Sequence, residues 1–276
     1  MRVDAHQHFW QYNPVRDTWI TEEMVVLKRD FLPDDLESQL EAHGFDGSIA
    51  VQADQSEDET IFLLQLAEHH PSVMGVVGWV DLRAADLPER VQYLSGFGRL
   101  GGVRHIAQAE PDDFLARNDV ARGIALLQDF DLTYDILVYP HQLPAVLSLV
   151  DRLPDQRFVV DHAAKPRIRD GEMEPWAGLM RELASHGNVW CKVSGLVTEA
   201  DWTRWSAEDI HPYLDVVFEA FGPDRLMFGS DWPVCLLAAS YRRVKDLIDS
   251  YAEYLTETER DKLFGTNAVQ FYGLKV

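Results

Sequence analysis

Near the start of the chain two histidines stand one residue apart, His6 and His8 in the run DAHQH. Side chains alternate across a β-strand, so this spacing sends both imidazoles to the same side. Two imidazoles so placed can hold a divalent metal or donate hydrogen bonds to a substrate oxygen. His162 follows Asp161 in VVDHAAKP, and Asp231 closes the apolar run MFGSD before Trp-Pro. A carboxylate beside imidazoles can act as general base or metal ligand. The catalytic candidates are therefore Asp231 and His162, and the candidate metal ligands are His6, His8 and Asp231. The competing role for Asp231 is capping of the segment that follows, but a carboxylate followed by Trp-Pro at a strand end points to a site.

Other polar residues fall where strands end. Arg104 and His105 close the run GVRHI, and Lys192 and Ser194 alternate onto one side of NVWCKVS. A guanidinium at Arg104 can clamp a carboxylate, a carbonyl or a pair of hydroxyls. All four are expected to contact substrate, although interior polar residues of a barrel can also pair with one another. Cys191 and Cys235 have no C-x-x-C pattern and no adjacent base, and read as packed thiols.

These residues need a frame that brings distant segments together. Short β-rich runs fall at 2–6, 47–53, 73–80, 102–106, 132–138, 157–162, 188–194 and 225–231. Helical stretches lie between them. Ser56-x-x-Glu59 reads as a capping box before IFLLQLAEHH, 143–153 carries an early proline, and 212–221 has apolar residues at helical spacing. Eight such runs at roughly thirty-residue intervals fit repeated βα units closing into a single-domain α/β fold, the (β/α)8 TIM barrel, over residues 1–276. Strand ends converge at the mouth of such a barrel, which would gather His6, His8, His162 and Asp231 around one pocket.

The first crossover, about 9–31, has no steady period and carries Trp10, Tyr12 and Trp19. A long βα loop at the mouth is expected to form a lid, with Trp10, Trp19 and Trp232 as aromatic substrate contacts.

Composition bounds the partners. Twenty-five basic against forty-six acidic residues give a formal net charge of -21, the wrong sign for nucleic acid or an anionic membrane surface. A small, neutral molecule suits this field better. With two cysteines, no basic-then-apolar leader and no long apolar window, a cytoplasmic location is expected.

The ordered set DAHQH, VVDHAAKP and FGSDWPV resembles the amidohydrolase superfamily, in its amidohydrolase-2 branch, over essentially the whole chain. FLPDDL at 31–36, VVGWVDL at 76–82 and GVRHIAQ at 102–108 are similar to the L-fucono- and L-rhamnono-lactone hydrolase group, related to the pyrone-dicarboxylate lactonases. The resemblance implies that His6 and His8 are the first-strand pair, His162 the sixth-strand histidine and Asp231 the eighth-strand base. Many metal-dependent relatives carry a histidine at the end of strand five. Here the stretch is DILVYPH, with Tyr139 and Pro140 at that point and His141 opening the next helix.

The activity so implied is opening of a sugar lactone to the aldonic acid by water that Asp231 activates. His6, His8 and Arg104, or one bound divalent metal such as zinc, would stabilise the oxyanion, and Asp231 or His162 would return the proton. Branch members hydrolyse lactones without metal, so both zinc-dependent and metal-independent versions stand. Two other readings are a metal-dependent decarboxylase of aromatic or unsaturated carboxylic acids, which the missing fifth-strand histidine opposes, and a non-catalytic small-molecule binding barrel.

Overall fold

Parallel strands covered on both faces are built from nearly continuous apolar runs, and this chain supplies eight of them. In the computed structural model, which describes residues 1–275, they are β1 (Val3–Gln7), β2 (Gly47–Val51), β3 (Val73–Gly78), β4 (Leu100–His105), β5 (Thr133–Ile136), β6 (Phe158–Val160), β7 (Val189–Val193) and β8 (Leu226–Phe228). All seven neighbouring pairs are parallel and follow chain order. Closure comes just beyond β8. Gln7 bridges Trp232, the His8 amide donates to the Trp232 carbonyl at 2.7 Å, and the Asp231 amide donates to the His6 carbonyl at 2.9 Å. The result is a (β/α)8 barrel with first and last strands stitched together at its mouth.

The crossovers carry α1 (Pro33–Ala42), α2 (Glu57–His69), α3 (Leu87–Ser95), α4 (Asn118–Leu127), α5 (Leu143–Arg152), α6 (Trp176–Ala184), α7 (Ala207–Phe221) and α8 (Tyr241–Tyr251). Two short helices follow, α9 (Glu257–Asp261) and α10 (Asn267–Tyr272). Ala268, Phe271 and Tyr272 of α10 pack with Val3, Ile49, Val77 and Met227, plugging the barrel opposite the mouth. Among the described residues no helix is long and apolar enough to cross a membrane.

Several local expectations need revision. Ser56 does cap α2, accepting the Glu59 amide at 3.2 Å, but the Glu59 carboxylate does not close the box. It accepts the amides of Ala53 and Asp54 at 3.0 and 2.7 Å, pinning the loop after β2 instead. The helix expected from 212 begins at Ala207, where the Asp209 carboxylate accepts from both the amide and the hydroxyl of Ser206, and Pro212 lies inside it. The sequence runs at 157–162 and 225–231 overshoot their strands, which end at Val160 and Phe228. Backbone beyond those points turns left-handed: φ is 52° at His162, 49° at Ala163, 58° at Ala164, 51° at Lys165 and 56° at Asp231. Non-glycine residues resist such angles, so these turns are held by their surroundings.

Candidate active site

Each turn after a strand aims one chemical group at a common centre. His8 Nδ1 lies 2.7 Å from the Val51 carbonyl, which can only accept. The proton therefore sits on Nδ1, and His8 Nε2 presents a lone pair. That lone pair is 3.2 Å from His6 Nε2 and 3.4 Å from Asp231 Oδ1, and Asp231 Oδ1 is 3.9 Å from both His6 Nε2 and His162 Nε2. Four groups from β1, the turn after β6 and the turn after β8 thus meet. Two glycines make room: a Cβ on Gly229 would fall 2.5 Å from His6 Cβ, and one on Gly195 would fall 2.4 Å from His162 Nδ1.

The donor set fits a divalent cation. His6, His8 and Asp231 each offer an atom within 4.8 Å of the others, and ligands at 2.0–2.1 Å around a tetrahedral ion stand about 3.3 Å apart. His8 also has the carbonyl partner on its far nitrogen that metal-bound imidazoles use. His6 is ambivalent. Its Nδ1 lies 3.1 Å from Lys192 Nζ and 3.3 Å from Asp161 Oδ1. When Nδ1–H faces Asp161, Nε2 is a ligand; when the ammonium donates to Nδ1, Nε2–H can donate to His8. The second network satisfies both nitrogens of His6 without a cation, so the His6 geometry serves both the metal-bound and the metal-free versions expected from the sequence.

Beneath this centre lies a buried ionic cluster. Lys192 Nζ is 2.6 Å from Asp135 Oδ2 and 3.0 Å from Asp161 Oδ1, and Arg104 Nη1 donates to Asp161 Oδ2 at 3.0 Å. Arg104 also donates to the Gln52 carbonyl, and Tyr272 Oη donates to Asp135 at 2.7 Å. Two cations balance two carboxylates. Burial works against the Asp161 carboxylate, yet Lys192, His6 and Arg104 hold it well below its usual range. Burial pushes Asp135 up to about 6 despite Lys192.

Burial likewise opposes the charge on Asp231, but His162, whose Nε2 faces it, leads the groups that lower its pKa, so it is a carboxylate. Burial drives His6 well below 6.5 and His162 down to about 4, and both rings are neutral near pH 7. The Asp231 carboxylate facing His162 Nε2 favours the proton there, with the Ser194 hydroxyl 2.9 Å from Nδ1 as its donor.

Above the centre opens a cavity of about 630 Å³, lined by His8, Trp19, Arg104, His162 and Asp231 among the expected residues. Six expected contacts do not line it. His6 lies directly behind His8 and Asp231, Ser194 behind His162, and Lys192 below them all. His105 points to the other side of β4 from Arg104, between Trp79 and Glu110 and stacked on Phe114, as strand alternation requires. Trp10 and Trp232 both pack edge-on against Phe31, and Trp10 donates to the Arg29 carbonyl. They anchor the first loop, whose ends are tied by a Trp10–Phe31 bridge, while Trp19 stands at the mouth. His141 is exposed and pairs with Asp112, leaving Leu137 and Tyr139 on the cavity wall at the end of β5.

Lys165, Glu199, Trp202, Gln55 and Gln108, which no motif or periodicity marks as site residues, also line the cavity. Most sit on loops past the strand ends, where periodicity carries no information. Cys191 and Cys235 are free and buried, and burial raises both thiols.

A barrel whose strand ends gather three imidazoles around a carboxylate under a cavity defines a class of metal-capable hydrolytic sites. The chain belongs to the amidohydrolase family, whose Amidohydro_2 model matches residues 3–274. It is similar to the L-fucono-1,5-lactonase of Burkholderia multivorans, with 47% identity covering 99% of this chain and 96% of that one. It is also similar to the L-fucono-1,5-lactonase of Burkholderia ambifaria, at 38% identity covering 98% and 95%. Among solved structures, a Burkholderia multivorans amidohydrolase with bound zinc superposes at a TM-score of 0.97, with 46% identity and full coverage of both chains.

Proposed function

We propose that this enzyme hydrolyses sugar 1,5-lactones of the L-fucono type to aldonic acids. The observation that carries the reading is the ionised Asp231 carboxylate among three imidazoles at the floor of a cavity. Near half-identity to an L-fucono-1,5-lactonase over the whole chain supports the substrate class.

Lactone opening needs a nucleophile made from water, a place for the oxyanion and a proton for the departing alkoxide. Asp231 accepts the proton of a water lying in the cavity as that water attacks the carbonyl carbon. His162 Nε2–H faces the same space and donates to the developing oxyanion, held in orientation by Ser194. Asp231, now protonated, returns the proton to the ring oxygen as the C–O bond breaks. A cation such as zinc, when bound by His6, His8 and Asp231, supplies Lewis-acid polarisation of the carbonyl. Lys192 acts from beneath, holding His6, while Arg104 fixes Asp161 and also reaches the cavity wall, where its guanidinium meets substrate. Trp19 and Met24 bring the loop from 9 to 31 to the cavity wall, the position from which a lid limits access of bulk water.

The decarboxylase reading gains no group from β5, where Leu137 and Tyr139 line the wall. A mere binding protein has no need of a carboxylate held ionised against burial. The test is a panel of aldono-lactones and aromatic carboxylic acids, offered to metal-stripped and zinc-loaded protein and followed by acid release and carbon dioxide evolution. Acid release from 1,5-lactones is the expected result; carbon dioxide alone, or no turnover of any lactone, would overturn the reading.

A further inference from the structure

A salt bridge inside the cavity wall is assigned no part in the chemistry above. Lys165 Nζ lies 3.1 Å from Glu199 Oε1, both residues line the cavity, and their side chains are 17% and 19% exposed. They come from different crossovers, Lys165 at the end of the left-handed turn after β6 and Glu199 in the loop after β7. Four successive residues with positive φ, His162 to Lys165, carry the lysine to this position. Strain of that kind and desolvation of an ion pair both cost stability, so the pair is poorly explained as a brace between loops.

The chemistry of the pair points to its guest. Arg104, the other cation on the wall, is committed to Asp161 and Gln52 beneath the cavity. Among the described residues, the ammonium of Lys165 has Glu199 as its one hydrogen-bond partner, leaving two of three N–H donors free. The Glu199 carboxylate keeps its second oxygen as an acceptor. Gln108 also lines the cavity, with its amide oxygen buried and unpartnered among the described residues. A hydroxyl both donates and accepts, and adjacent hydroxyls on a ring match a charged donor and acceptor side by side. Trp202 adds an apolar wall for the ring face.

We propose that Lys165 and Glu199 form the hydroxyl-reading subsite of this enzyme, binding a vicinal diol of the sugar lactone and setting specificity for polyhydroxylated rings. The assignment rests on the lactonase reading and adds the residues that select the substrate. Both side chains touch substrate but neither takes part in bond making or breaking.

The test is a cycle of enzyme and substrate changes. Wild type, Lys165→Met and Glu199→Gln are each assayed on L-fucono-1,5-lactone and on its 2-, 3- and 4-deoxy analogues, with circular dichroism as a fold check. In wild type, loss of a hydroxyl read by the pair lowers kcat/KM about 10- to 100-fold, the range of a hydrogen bond to a charged group. In either variant the parent lactone suffers a similar loss, mainly in KM, and the same deoxy analogue is penalised less than about threefold further. Equal deoxy penalties in wild type and in both folded variants would overturn the subsite while leaving the lactonase intact. No turnover of the parent by wild type would overturn the lactonase reading, and the subsite with it.

Discussion

His8 Nε2 and Asp231 Oδ1, from opposite ends of the sequence, lie 3.4 Å apart with a lone pair facing a carboxylate. Two electron-rich atoms at that distance call for a positive centre between them or a proton nearby. The arrangement ties the proposed metal-ligand and base roles to the same carboxylate.

Asp231→Asn removes the proposed base and leaves its size unchanged. Lactone-opening kcat should fall by about 10²- to 10⁴-fold with little change in KM, as measured by acid release on protein of unchanged circular dichroism. Turnover close to wild type would take Asp231 out of the base role.

Zinc should stabilise the fold as well as occupy the site. At a hundred times its Kd, a single bound ion adds about 2.7 kcal/mol to unfolding, and Tm should rise on zinc addition and fall back with a chelator. His8→Ala should abolish that response, since it deletes a proposed ligand whose other nitrogen is already fixed by Val51. A zinc-induced rise that persists in His8→Ala would place the ion elsewhere.

Much of this site is visible in the sequence, for a physical reason. The chemistry-bearing types at the ends of the first, sixth and eighth apolar runs are His6, His8, His162 and Asp231, and a barrel has one place where such ends meet. Alternation also separates Arg104 from His105, although taking both as substrate contacts ignores it. What alternation cannot give is depth along the barrel: Lys192 and Ser194 share a side, yet one pairs with Asp135 in the interior and the other with His162 at the rim. Lys165 and Glu199 lie beyond all such patterns, because a run of positive φ at non-glycine residues has no compositional mark.

Lys192→Met leaves Asp135 and Asp161 facing each other without their shared ammonium. Loss of one partner from a buried cluster costs about 3–5 kcal/mol, to be read as a lower urea midpoint. Adding Asp135→Asn should recover part of it, because the uncompensated charge is then gone. A single variant as stable as wild type would mean the cluster is idle.

Glu59 gives the fold a pH dependence. Burial raises its carboxyl to about 8 from 4.5, against the pull of the Asp54 and Ala53 amides. Between those values the folded chain holds a proton that the unfolded chain has released, so stability falls as pH rises, by up to about 1.4 kcal/mol per unit. The stabilisation is fully present below pH 4.5 and lost above about 8. Glu59→Gln should flatten that slope in urea melts taken across the interval; an unchanged slope would assign it to other groups.

The seam between Gln7 and Trp232 also has a meaning for biosynthesis. A ribosome that has released seven strands has made every imidazole of the centre, but neither the carboxylate nor the backbone partners that lock the opening strand. Assembly of the centre therefore waits on the eighth strand and the turn that follows it, whatever the earlier strands have already brought together.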